Sequence, residues 1–96
     1  SASKAAIDGA VRSLACELAP KKIRVNLIIA GGIKTEMHEK LEFLLGKEEI
    51  LEYEKKHLLG FGTPEDVAFA AAYLLSNAAR WVTGTCMIVD GGYSCQ

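Results

Sequence analysis

The residues best suited to chemistry lie in a loop that follows a short apolar run. Val25 to Ile29 is nearly continuous in apolar side chains, which is typical of a parallel strand covered on both faces. Gly31 and Gly32 then let the backbone leave the strand with unusual dihedral angles or approach another group closely. Because ligands of open α/β sheets bind at the carboxyl ends of the strands, we predict a binding loop here. An ordinary strand-to-helix turn is the alternative for an isolated glycine pair.

A second candidate is Lys4, which lies in a predicted amphipathic helix. On a helical projection Lys4 falls in the same row as Val11, Ala15 and Leu18, on the apolar stripe of the helix. This placement is unusual for a lysine. Either the ammonium group has a task in a site, or the side chain snorkels at a frayed helix end.

The spacing of apolar residues predicts the elements that position these candidates. A helix from Ala2 to Ala19 ends at Pro20, and Thr63 with Pro64 starts another helix as its N-cap and first helical residue. Residues 24–29 and 85–89 are predicted strands, and Asn26 in the first is expected to be a structural hydrogen bonder. The order is helix, strand, helical connection, helix and strand. We therefore predict an α/β fold that is part of a doubly wound parallel sheet.

The helical connection spans residues 36–59 and is predicted to contain two short amphipathic helices separated at Gly46. A segment between the carboxyl end of a strand and the next helix is well placed to act as a lid over a site. A solvated helical connection without that role is the alternative interpretation.

Composition and charge exclude several classes of function. The 96 residues, half of them apolar, suit one small domain. Acidic and basic residues number 12 and 11, so no net field favours nucleic acid or an anionic membrane. No apolar run could span a bilayer, and the first residues lack the basic and apolar regions of a secretory signal. The three cysteines form no CxxC pair, which indicates free thiols in a reducing compartment and predicts a cytoplasmic protein.

The histidines and cysteines do not form a recognisable metal-binding pattern. His38 begins a His-Glu-Lys-Leu-Glu run that lacks the second histidine of the zinc-protease pattern, and His57 lies on a separate helical segment. We predict no metal site. Cys16 and Cys86 are expected to be small core residues, and Cys95 a thiol in the tail.

Taken together, four stretches resemble the carboxyl-terminal portion of the short-chain dehydrogenase/reductase family, nearest to its 3-oxoacyl-acyl-carrier-protein-reductase-like members. Residues 1–4 (SASK) look like the end of the family's Tyr-x-x-x-Lys motif, cut immediately after its tyrosine. Residues 24–35 (RVNLIIAGGIKT) resemble its strand and Pro-Gly-x-x-x-Thr loop, while residues 62–68 (GTPEDVA) and 83–92 (TGTCMIVDGG) are similar to its last helix and last strand. The resemblance covers the whole chain and implies the Rossmann-like fold.

The resemblance also implies roles for individual residues in binding NAD or NADP. Lys4 would bond the nicotinamide ribose, and its charge would favour the phenolate of the family's tyrosine as general acid or base. Ile33 would offer backbone groups to the carboxamide, and the Thr35 hydroxyl would bond the carboxamide or the pyrophosphate. Gly31 would allow the close approach of the cofactor. The implied reaction interconverts a small-molecule carbonyl and a secondary alcohol by hydride transfer.

Contact with the substrate is assigned to two apolar residues of the lid, Met37 and Phe43, for which core packing is the equally weighted alternative. The resemblance further implies a homo-oligomer, a dimer or a tetramer, because the first helix and the last helix and strand face neighbouring subunits in this family.

The sequence also departs from the family's pattern. Ala30 stands where the family usually has proline, so the loop loses a fixed φ. The family's tyrosine, its serine and the Gly-rich dinucleotide loop do not occur in these 96 residues, which are expected to be the carboxyl-terminal fragment of a longer chain and inactive alone. The alternative is a non-catalytic module whose exposed helix faces and strand edge drive self-association or bind a partner.

Overall fold

The computed structural model describes residues 2–96, so Ser1, the first residue of the SASK motif, lies outside the described residues. The α-helices and strands follow the predicted order of helix, strand, two connecting helices, helix and strand. They are α1 (Ala2–Leu18), β1 (Leu27–Ala30), α2 (Glu36–Leu45), α3 (Lys47–Lys55), α4 (Pro64–Leu75) and β2 (Cys86–Val89). Short 3₁₀ turns cover Ala19–Lys21, Asn77–Ala79 and Tyr93–Cys95.

The strands β1 and β2 are neighbours in a two-stranded sheet of the described chain. Leu27 donates its N–H to the carbonyl of Thr85, and four residues further along both strands Gly31 donates to Val89. Because the partners advance in the same direction, the strands are parallel, as predicted. The fold class is therefore confirmed as an α/β arrangement with parallel strands.

β1 begins at Leu27, later than the predicted start at residue 24. Side chains enter the pairing there: the carbonyl of Val25 still accepts the N–H of Gly84 at 2.7 Å, but its N–H bonds the Thr83 hydroxyl at 3.1 Å. Asn26 donates to the carbonyl of Val82 at 3.0 Å and accepts from the N–H of Thr85 at 3.1 Å. The prediction that Asn26 is a structural hydrogen bonder is confirmed.

Local signals set the helix ends. Helix α1 ends at Leu18 and the chain continues as a 3₁₀ turn that contains Pro20. Gly46, at φ 96°, separates α2 from α3, because few residues other than glycine adopt that angle. At the start of α4 the carboxylate of Asp66 accepts the N–H of Thr63 at 2.7 Å and its hydroxyl at 3.2 Å. This bond from the third helical residue back to the N-cap is one half of a capping box.

The chain divides into two compact units, Ser1–Ile29 with Ala70–Met87, and Ala30–Phe69 with Ile88–Gln96. The buried apolar residues of the first unit are Val11, Ala15, Leu74 and Ala79, and Ala15 lies against the turn at Gly84. The second unit buries Ile50 and His57. None of the helices formed by residues 2–96 combines the length and apolarity needed to cross a bilayer.

The prediction that Cys16 is a core residue is wrong, because its thiol is exposed. The buried face of α1 passes through Val11 and Ala15, and residue 16 projects about 100° away from its neighbour around the helix. Cys86 is half-buried on β2, and Cys95 is exposed, as expected. All three are free thiols.

Candidate functional site

The loop after β1 is held in place by a parallel bridge between Ile33 and Gly62. Gly62 donates its N–H to the carbonyl of Gly32 at 3.0 Å, and Lys34 donates to the carbonyl of Gly62 at 2.9 Å. In this bridge Gly62 therefore bonds Gly32 and Lys34, the residues on either side of Ile33, and not Ile33 itself. The N–H and C=O of Ile33 itself therefore point away from Gly62.

These two backbone groups of Ile33 bond no other group of residues 2–96. A donor and an acceptor thus stand on one residue, on the side of the loop that faces away from the bridge. A primary carboxamide offers the complementary pair, an N–H donor and a carbonyl acceptor. The geometry of the loop fits the amide end of a nicotinamide, which is the group that the resemblance assigns to Ile33.

Both loop glycines are required by close packing within the second unit. A Cβ on Gly31 would lie 2.8 Å from the Cβ of Asp90, and one on Gly32 would lie 2.6 Å from Cδ1 of Phe61. Contacts this short do not occur between real side chains, so a larger residue would displace the loop. The close approach seen at Gly31 is thus to Asp90, and its approach to a cofactor stays a prediction.

A cavity of about 410 Å³ borders the loop. It lies within the second unit, at the carboxyl ends of the two strands, where ligands of α/β sheets bind. Its lining includes Gly32, Ile33, Phe61, Gly62, Asp90 and Gly91.

Thr35 is exposed and caps helix α2, since its Oγ1 accepts the N–H of His38 at 3.3 Å. The bond uses the hydroxyl as an acceptor and leaves its hydrogen to be donated. Glu36 and Glu39 occupy the first turn of the same helix. Their carboxylates stabilise the helix end, where the free N–H groups carry partial positive charge.

Lys4 lies in the first turn of α1, and its side chain is exposed. It occupies the helix row that contains Val11 and Ala15, both of which are buried in the first unit. The loop of residues 31–35 belongs to the second unit, so the sequence candidates are divided between the two units.

Met37 and Phe43 both lie on α2, where they are 72% and 89% exposed. Neither packs in a core formed by residues 2–96, so the core-packing alternative does not hold for them in this part of the chain. Their contact with a substrate stays a prediction. Helix α2 as a whole has no buried residue.

Sequence reasoning missed the contribution of His57, which is 3% exposed. Its Nε2 lies 2.9 Å from the backbone nitrogen of Gly32, in the middle of the loop. The Tyr53 to His57 spacing of one helical turn is the only local signal, and it does not reveal contact with Gly32. In residues 2–96 no cluster of three or more His, Cys, Asp or Glu side chains could hold a metal ion.

Asp90 fixes the turn that follows β2. Its Oδ1 accepts the N–H of Gly92 and its Oδ2 the N–H of Ser94, each at 3.0 Å. The hydroxyl of Ser94, and then the backbone N–H groups of the turn, hold the pKa of Asp90 below its usual value, because they stabilise the charged carboxylate.

Comparison with known proteins places this geometry in a family. The profile of the family described as "Enoyl-(Acyl carrier protein) reductase" matches residues 1–94. The chain is 42% identical over 91 residues to the 3-oxoacyl-[acyl-carrier-protein] reductase FabG of Rickettsia prowazekii, covering 95% of this chain and 36% of that protein. It is 39% identical over 102 residues to the tetrahydroxynaphthalene reductase of Pyricularia oryzae, covering 96% of this chain and 36% of that protein.

Solved structures agree with this assignment. A 4-hydroxyisoleucine dehydrogenase complexed with NADH superposes with a TM-score of 0.85 at 34% identity, over 99% of this chain and 39% of the other. A putative 2-deoxy-d-gluconate 3-dehydrogenase from Agrobacterium tumefaciens with bound NADP has a TM-score of 0.85 at 35% identity, over 99% and 38%. The chain thus spans little more than a third of the length of these relatives. It has their Rossmann-like α/β fold in part, and it belongs to the short-chain dehydrogenase/reductase family.

Proposed function

We propose that these residues form the nicotinamide-binding part of an NAD(P)-dependent oxidoreductase that interconverts a carbonyl and a secondary alcohol. The relatives include reductases and dehydrogenases, and the solved relatives include complexes with NADH and with NADP. A 3-oxoacyl thioester is the proposed substrate class, since several of the similar proteins are 3-oxoacyl-[acyl-carrier-protein] reductases. The observation that carries the proposal is the backbone of Ile33, whose N–H and C=O are unused within residues 2–96.

The proposed task of Ile33 and Thr35 is to orient the nicotinamide ring. Ile33 donates its N–H to the carboxamide oxygen and accepts a hydrogen bond from the carboxamide nitrogen. Thr35 donates its remaining hydrogen to the carboxamide or to the pyrophosphate. The bound NAD(P)H supplies the hydride, and these contacts decide which face of the ring meets the substrate.

The proposed catalytic residue is Lys4. Its ammonium group bonds the nicotinamide ribose and, through its positive charge, favours the phenolate of the tyrosine that precedes it in the family's motif. That tyrosine then exchanges a proton with the substrate oxygen near neutral pH. This role explains why a lysine occupies the row of α1 that contains Val11 and Ala15.

Helices α2 and α3, with the residues up to 59, are proposed to act as the lid. Met37 and Phe43 on α2 are large and exposed, so they offer apolar surface to the acyl chain of a thioester substrate. Burial of these two side chains by the substrate would exclude water from the reacting carbonyl.

The exposed apolar residues of α4 and the following segment support a homo-oligomer, a dimer or a tetramer. Phe69 in the second unit, and Leu75 and Trp81 in the first, are each largely exposed, and exposed apolar surface often marks a contact with another chain. The same observation favours the second candidate function, a non-catalytic module for self-association or partner binding.

The three free thiols agree with a cytoplasmic location.

The test is the activity of the complete gene product that contains these residues. We expect it to oxidise NADH or NADPH when given a 3-oxoacyl thioester, and the preferred nucleotide identifies the cofactor. The 96 residues alone, assayed in parallel, should show no turnover. A complete product that binds neither nucleotide would overturn the oxidoreductase proposal, and self-association without nucleotide binding would favour the module.

A further inference from the structure

Among residues 2–96, His57 is the one polar or charged side chain that is buried. It follows the carboxyl end of α3, and its ring is surrounded by aromatic rings. The ring centroids of Tyr53, Phe61 and Tyr93 lie 4.9, 5.1 and 4.7 Å from the centroid of His57. Such an environment holds the imidazole in one orientation, because rotation would break several contacts at once.

The hydrogen bonds of His57 define which nitrogen carries the proton. Nδ1 lies 3.0 Å from the carbonyl oxygen of Tyr53, which can only accept, so Nδ1 is the donor. Nε2 lies 2.9 Å from the backbone nitrogen of Gly32, which can only donate, so Nε2 carries no hydrogen. The ring is therefore neutral and in the Nδ1–H tautomer.

The partner of Nε2 is the residue that precedes Ile33. Gly32 is held at both of its backbone groups, since its N–H donates to His57 and its C=O accepts from Gly62 at 3.0 Å. The C=O of Gly32 and the N–H of Ile33 belong to one peptide plane. The N–H of Gly32 that bonds His57 belongs to the preceding peptide plane, so His57 and Gly62 hold the two planes on either side of the Gly32 Cα and together set the direction in which Ile33 presents its own N–H.

We propose that His57 is a positioning residue of the cofactor site, and that its neutral Nε2 holds the peptide before Gly32 so that, with Gly62 holding the next peptide, Ile33 faces the nicotinamide carboxamide. The inference rests on the proposed function and deepens it. His57 does not touch the cofactor or the substrate in this account, and it acts through Gly32 alone.

A matched pair of substitutions in the complete gene product separates this role from simple packing. His57→Phe keeps an aromatic ring in the aromatic surroundings but removes the acceptor for the Gly32 N–H. His57→Gln loses the ring but places an amide oxygen near the position of Nε2. Tyr93→Phe is the control, because it preserves the ring against His57 and leaves the bond to Gly32 in place.

We expect His57→Phe to raise the KM for the nicotinamide cofactor by about fivefold to tenfold, as for the loss of one hydrogen bond. The KM for the carbonyl substrate should change by less than about twofold, because the loop does not bind it in this account. His57→Gln should recover most of the cofactor affinity, and Tyr93→Phe should resemble the wild type. Equal cofactor KM values for His57→Phe and wild type would overturn the proposal.

A measurement on the unmodified protein does not depend on how the variants fold. In the complete gene product labelled with ¹⁵N at histidine and glycine, we expect His57 to show a protonated Nδ1, and Nε2 to show coupling to the amide hydrogen of Gly32. A protonated Nε2 at neutral pH would contradict the proposal. If the protein bound neither nucleotide, the proposed function would fail while this measurement would still decide the hydrogen bond.

Discussion

The backbone groups at the two ends of the β1–β2 strand pair have different hydrogen-bond partners. At the amino end, the side chain of Asn26 bonds both the carbonyl of Val82 and the N–H of Thr85, and Thr83 bonds Val25. At the carboxyl end, His57 and Gly62 hold Gly32, and the next residue, Ile33, has both backbone groups unbonded within residues 2–96.

We therefore assign a structural role to the amino end of the strand pair and ligand binding to the carboxyl end. Asn26 and His57 have similar structural roles, since each side chain hydrogen-bonds the backbone of a segment that is distant in sequence. The side chain of Asn26 bonds Val82 and Thr85, whereas His57 bonds the residue before Ile33, whose N–H and C=O have no partner within residues 2–96. This is the arrangement expected where ligands bind at the carboxyl ends of parallel strands.

The largest expected effect on activity comes from replacing Lys4, the residue of the first unit to which we assign catalysis. In the complete gene product, Lys4→Ala should lower kcat by about 100-fold or more, because general acid–base catalysis contributes at least that factor. Lys21→Ala, a change of an exposed lysine in the 3₁₀ turn, is the control and should leave kcat unchanged. Near-normal turnover of Lys4→Ala would contradict the catalytic assignment.

A second prediction concerns the packing of the site loop. Gly32→Ala should destabilise the complete gene product by about 1–3 kcal/mol, because the new Cβ would lie 2.6 Å from Cδ1 of Phe61. Gly9→Ala is the matched change on α1, where nothing lies within 4 Å of the added Cβ, and it should stabilise by about 0.5–1 kcal/mol. Urea unfolding measures both, and equal effects would show that the loop does not have the packing described.

A third prediction concerns the amino end of the strand pair, where Asn26 has a structural role. Asn26→Ala should lower the free energy of unfolding by about 1–2 kcal/mol, because it leaves the N–H of Thr85 without its partner and the carbonyl of Val82 with Arg24 alone. Cofactor affinity of the folded protein should not change. Asn77→Ala, an exposed position, should be neutral in both respects. Weaker cofactor binding by Asn26→Ala would mean that the two ends are not distinct in function.

The smallest expected effect is on the pH dependence of stability, and it concerns the turn after β2. Hydrogen bonds from Ser94 and the turn hold the pKa of Asp90 below its usual value of 3.8. The stability contributed by the carboxylate is therefore present above about pH 4 and is lost as the pH falls through the lowered pKa. Asp90→Asn should remove this part of the acid dependence, and Ser94→Ala should reduce it. Identical unfolding curves for all three proteins between pH 2 and about pH 5 would contradict this.

The elements could be predicted because their signals are local. Pro20, Gly46 and the Thr63-Pro64 pair each act within a few residues, and the helix ends lie close to them. The start of β1 could not be placed as well, because Val25 and Asn26 bond partners that lie 56 to 59 residues away. No window along the sequence contains both partners.

The site could be predicted only in part for the same reason. The loop of residues 31–35 is evident because a glycine pair follows an apolar strand, and the N–H and C=O of Ile33 in this loop are unbonded within residues 2–96. The contribution of His57 could not be predicted, since it depends on Gly32, 25 residues away, and on rings from separate segments. Asp90, which packs against Gly31, is more distant still from it in sequence.

The central claim is that Ile33 binds the nicotinamide, and amide hydrogen exchange of the complete gene product tests it most directly. On addition of NADH or NADPH, we predict slower exchange at Ile33, with Val25 and Thr85 at the amino end of the strands unchanged. Binding of the nucleotide without any change at Ile33 would contradict the account.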